Sequence, residues 1–105
     1  MESVAKAARQ AKFWKKFMRL TRGRISVLRA LEIAGEEEQD PSFRNLILSL
    51  KKKMDDGALL SDAVAESPEE FSLSTVEMIR SAEKTGAWDE ILEELAGGLL
   101  DGTFS

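Results

Sequence analysis

Between Asp40 and Gly57, Phe43, Leu46, Ile47, Leu50 and Met54 form an i, i+3, i+4, i+7, i+11 series of large apolar residues. That period puts them on one face of an α-helix but would scatter them over both faces of a strand. The ends carry matching signals. Asp40 reads as an N-cap, Pro41 as the first helical residue and Gly57 as the C-terminal stop. The same period recurs along the chain, strand signals are weak, and the expected architecture is an all-α, six-helix antiparallel bundle.

The other five helices follow from similar cues. The first runs from about Val4 to Arg22, with Phe13, Phe17 and Leu20 in one row and Trp14 and Met18 in the next. The second, Ser26 to Glu37, turns Val27, Leu28, Leu31 and Ala34 inward. A short fourth helix, Leu60 to Glu66, is broken by Ser67-Pro68. The fifth, Leu73 to Thr85, has two candidate caps, Ser72 and a Ser74/Glu77 capping box. The sixth, Trp88 to Leu100, carries Trp88, Ile91, Leu92, Leu95 and Leu99 on one stripe. Residues 1–105 are expected to form one domain, with its core at about 13–100 and a frayed tail at 101–105. Trp14, Met18 and Leu48 lie off the main inward stripes. They are expected to leave apolar surface exposed and to support self-association, as in a homodimer.

Composition narrows the chemistry. The chain of 105 residues has no cysteine and no histidine, which removes disulfides, thiolate sites and the commonest general base and transition-metal ligand. No apolar run approaches a membrane span, no signal-peptide pattern opens the chain, and there is no G-x-x-x-x-G-K-[ST] phosphate loop. The net charge of −4 hides a polarity. Residues 1–29 hold nine Lys/Arg against one acid, whereas residues 30–105 hold six against eighteen. Such a molecule presents one basic end to anionic partners.

The stretch IRSAEKTGAWDEILEELA resembles the type II secretion system F domain, whose pattern is I-R-x-G-E-x-x-G-x-L-D-x-x-L-x-x-L-A. Ile79, Arg80, Glu83, Gly86, Asp89, Leu92, Leu95 and Ala96 match it in register. Upstream, Phe13, Leu20, Leu28, Ala30 and Leu31 match the family's opening segment. Gly57, Leu60, Ser61 and Ala63 match an R-x-x-G-x-S-L-S-x-A-L type of segment, and Phe71 matches the phenylalanine before the fifth helix. Departures fall at the corners. Gly23-Arg24 replaces the family's Ala-Gly, Ala82 its first glycine, and Trp88 its leucine before the aspartate.

The resemblance implies a six-helix bundle and a non-enzymatic role. The family is that of the inner-membrane platform protein of type II secretion and type IV pilus machines, which links the assembly ATPase to the pilus or pseudopilus. Implied partners are that ATPase and other inner-membrane platform components, and the implied location is the cytoplasmic face of the bacterial inner membrane. A full-length member has two such domains and three membrane helices. This chain is therefore expected to be an excised domain or a single-domain relative.

The candidate interaction residues are Lys12, Lys15, Lys16 and Arg19, with Trp14 and Met18. The basic helix could meet an acidic protein, anionic lipid head groups or nucleic acid; Lys51-Lys52-Lys53 favours the last, and the acidic remainder weighs against it. The bland reading is a solvated face. Glu83, Asp89 and Glu90 could hold a divalent cation such as calcium or magnesium through oxygen ligands. Against this stand capping and an ion pair to Arg80 or Lys84. A hydrolase using Glu83 and Asp89 lacks any accompanying cleft residues. Gly57, Glu83, Gly86 and Asp89 read as structural: Gly86 as a left-handed corner, Asp89 as a first-turn acid. Glu83 is expected on the buried side of its helix, satisfied by backbone N–H groups at another helix start and by Arg22 or Arg24.

Overall fold

The structure, a computed structural model, describes residues 2–102, with side chains from residue 5 onward. It is all-helical among the described residues. The six helices are α1 (Glu2–Arg22), α2 (Val27–Glu37), α3 (Pro41–Asp55), α4 (Leu60–Ala65), α5 (Leu73–Thr85) and α6 (Trp88–Asp101). Each packs on its neighbours in the chain, and α6 returns to lie along α1, so the bundle closes on itself. None of the helices is long and apolar enough to cross a membrane.

The helix ends are built from the residues that the sequence marks. The Asp40 carboxylate accepts from Phe43 N at 3.0 Å, and Pro41 follows it as the first helical residue. Ser72, of the two candidate caps, accepts from Thr75 N. Gly57 and Gly86 adopt φ of 108° and 78°, conformations that a side chain would strain. Asp101 still belongs to α6 and Gly102 closes it in a left-handed conformation; the rest of the expected frayed tail, residues 103–105, lies outside the described residues.

At the centre sits a group of five rings. Phe13 lies 4.6 Å from Trp14 and 5.7 Å from Phe43, and Trp14 lies 5.8 Å from Phe17 and 6.2 Å from Phe71, centroid to centroid. Each such pair contributes about 0.5–1.5 kcal/mol beyond burial of its area. The expectation that Trp14 is an exposed contact residue is therefore corrected: its side chain is 0 % exposed. The reason is that α1 is packed over more than one row. α2 and α6 flank it, and the segment before α5 brings Phe71 against the adjacent row. Met18 is half-buried against the core. Leu48 fills the space beside Gly35, where an added Cβ would stand 2.7 Å from Leu48 Cδ2. None of the three supplies the apolar patch on which the expected self-association rested.

Glu83 faces inward, but its partners differ from half of those expected. Its carboxylate accepts from Ser61 N at 2.9 Å and from the Ser61 hydroxyl at 2.5 Å. Ser61 is fully buried in the first turn of α4, which has no side-chain cap of its own because its N-cap residue is Leu59. The backbone donor at a helix start is as expected, whereas the arginine is not. Arg22 turns to Asp89, and Arg24 is exposed.

Candidate functional site

The outer face of α1 carries Lys12, Lys15, Arg19 and Arg22 at spacings of three and four, all exposed. Residues so spaced share one side of a helix, and ten residues of rise give a row about 15 Å long. Lys12, Lys15 and Arg19 have no ion-pair partner among the described residues. Lys16, one step round the helix, is engaged: its Nζ donates to Glu37 Oε1 at 2.8 Å. That contact holds the Glu37 carboxyl below its usual range. Its contribution is present above the ordinary carboxylate pKa and is lost as pH falls through the lowered value.

At the C-terminal end of this row the bundle leaves a groove of about 310 Å³ between the end of α1 and the starts of α2 and α6. Phe17, Val27 and Trp88 give it apolar walls; Thr21, Arg22 and Asp89 give it a polar edge. Arg22 Nε donates to Asp89 Oδ2 at 3.2 Å across that edge, with both side chains about half exposed. The corner leading into α2 is unusual. Arg24 has φ of 68°, a left-handed backbone that costs a non-glycine residue about 1–2 kcal/mol. It lies in sequence between the groove residues Arg22 and Val27.

The three candidate metal ligands do not converge. Glu83 is turned to Ser61, Asp89 to Arg22, and Glu90 is exposed. Among the described residues no group of three carboxylates could hold an ion. Trp88, the first residue of the α6 stripe, is partly buried against the core and also forms a groove wall.

Sequence reasoning missed a polar cluster on the first half of α1. Arg9 Nη2 donates to Glu70 Oε1 at 2.9 Å while its guanidinium lies 5.4 Å over the Phe43 ring. Gln10 Nε2 donates to Glu70 Oε2 at 2.9 Å and also to the Glu70 carbonyl. This fastens α1 to the segment before α5. A signal existed, since Gln10 stands in register with Phe13 and Phe17 on the buried row. The groove had a weaker signal in Trp88, a large ring at the first position of the α6 stripe.

Among known proteins, the family profile of type II secretion system protein F matches residues 13–101. The type IV pilus assembly protein PilC of Myxococcus xanthus is 27 % identical over 84 residues, covering 80 % of this chain and 20 % of that protein. The type 4 fimbrial assembly protein PilC of Pseudomonas putida is 30 % identical over 89 residues, covering 85 % and 22 %. Type II secretion system protein F of Vibrio cholerae is 30 % identical over 66 residues, covering 63 % and 16 %. The chain thus spans about a fifth of the length of these relatives.

Proposed function

The chain belongs to the type II secretion system protein F family, and from that membership we propose that it is a non-enzymatic protein-interaction domain in a secretion or pilus-assembly machine. It would work at the cytoplasmic face of the bacterial inner membrane and contact the assembly ATPase or another platform component. The observation that carries this reading is the exposed row Lys12, Lys15 and Arg19, unpaired among the described residues in a chain that is otherwise acidic. Exposed cations left without internal partners add little to the fold and are available to an external anionic surface. A second reading draws on the same row: contact with anionic lipid head groups, which attract each nearby Lys or Arg by about 1 kcal/mol.

The test is made in the producing cell. Lys12, Lys15 and Arg19 are replaced together by glutamate in the full-length protein. The expected result is normal protein level with loss of pili or of secreted protein. Undiminished assembly with all three charges reversed would overturn the proposal.

A further inference from the structure

We propose that the groove beside α6 is an anchor site for an acidic protein segment, one apolar side chain entering between Phe17, Val27 and Trp88 while flanking carboxylates lie on the basic row of α1. The inference rests on the interaction-domain reading and names the chemistry of the partner.

Two features meet at Arg22. It lines the groove and it ends the row Lys12, Lys15, Arg19. An apolar groove alone would accept many occupants, and a basic row alone would suit any anionic surface. Their continuity selects a segment that carries both an apolar anchor and acids. The groove, at about 310 Å³, stands at the small end of the range for ligand sites and has room for one or two large side chains. Its walls include a partly buried tryptophan beside an arginine, the residue types that dominate binding energy at protein interfaces. A helix with carboxylates every three or four residues would match the cation spacing along the row.

A lipid surface fits less well. Head groups would use the charges and leave the apolar walls of the groove uncovered. The carboxylate of Asp89 now occupies Arg22. An incoming carboxylate would take its place, exchanging one exposed ion pair for another at little cost. Arg24 adds a cation at the same end of α1, held by a strained backbone, and strain of this kind collects at binding sites.

The test uses the 105-residue chain at low salt with a labelled synthetic helical peptide. The peptide bears glutamates along one face and a single central phenylalanine; its twin has alanine there. Vesicles of phosphatidylglycerol form a third arm. Trp14 is fully buried, so a change in tryptophan emission on binding reports chiefly on Trp88. The phenylalanine peptide should bind about tenfold more tightly than its twin. Lys15→Glu with Arg19→Glu should weaken both peptides, and Trp88→Leu should erase the difference between them. Equal binding of the twins, with no change at Trp88, overturns the anchor. Binding to vesicles but to neither peptide overturns it in favour of lipid, and binding to none of the three overturns it outright. The outcome is separable from the cellular test. Loss of assembly in the charge-reversed cell with equal binding of the twins would sink only the anchor. Intact assembly with clear discrimination between the twins would sink only the assembly role.

Discussion

Two corners of this bundle adopt the same left-handed backbone with opposite residue choices. Between α5 and α6 the position is Gly86, at φ 78°; between α1 and α2 it is Arg24, at φ 68°. Glycine takes this conformation without a steric cost, whereas arginine does not. The surroundings differ in the same sense. The first corner is preceded, three residues back, by Glu83, whose carboxylate is satisfied by buried Ser61. The second has no such buried tie and is flanked by exposed Arg22; both corners border the groove, the first through Trp88 and Asp89 and the second through Arg22 and Val27. One corner is free of backbone strain, while the other carries it two residues from Arg22, whose cation the anchor proposal uses.

The largest effect should come from the tie beneath the stable corner. Glu83→Ala leaves the Ser61 N–H and hydroxyl buried without their acceptor, and the domain should lose about 1–3 kcal/mol. Glu83→Gln loses the charge and one of the two acceptor oxygens in use, but its remaining oxygen can accept from Ser61 N and its amide can donate to the Ser61 hydroxyl, so it should cost less than the alanine change. Chemical denaturation of both variants checks the order. Equal stability of Glu83→Ala and the parent would mean that α4 does not depend on this carboxylate. Next comes Gly86→Ala, which forces a Cβ into the left-handed region and should cost about 1–2 kcal/mol. The space around Gly86 is open, so a loss there reads backbone strain and not a clash.

How much of this was legible follows from how far each signal reaches along the chain. Asp40-Pro41, Gly57 and Gly86 act on their own turns, so the helix ends could be read directly. Glu83 was legible as an inward carboxylate because period alone places it. Its partner Ser61 was not, since nothing local says which helix start lies opposite. Trp14 was misplaced because a single inward row was assumed for α1, while packing on Phe71 covers a second. The groove is assembled from three helices and left only Trp88 as a trace, a departure from the sequence pattern that the chain resembles.

The third change reverses the sign. Arg24→Gly relieves the strained corner and should stabilise the domain by up to about 1 kcal/mol, less whatever the freer unfolded chain takes back. Under the anchor proposal the same variant should bind the acidic peptide more weakly. A rise in melting temperature together with a fall in affinity would mark the corner as kept for binding. Rises in both would leave the arginine without a binding role.

The smallest effect concerns Asp89, which links the two corners through Arg22. Both side chains are about half exposed, so the pair should contribute only about 0.2–1 kcal/mol and less as salt is added. Asp89→Asn also removes an acid from the first turn of α6, where the helix dipole favours it, so stability alone would confuse two causes. Making the change on an Arg22→Gln background separates them, because the dipole part persists there and the pair part does not. Binding then gives the sharper reading. If the Asp89 carboxylate holds Arg22 until a partner's carboxylate replaces it, Asp89→Asn frees the guanidinium and removes a repulsive charge. The phenylalanine peptide should then bind several-fold more tightly to a slightly less stable domain. Weaker binding instead would mean that Asp89 holds Arg22 in its binding pose, and the exchange of carboxylates would be wrong even where the groove itself is right.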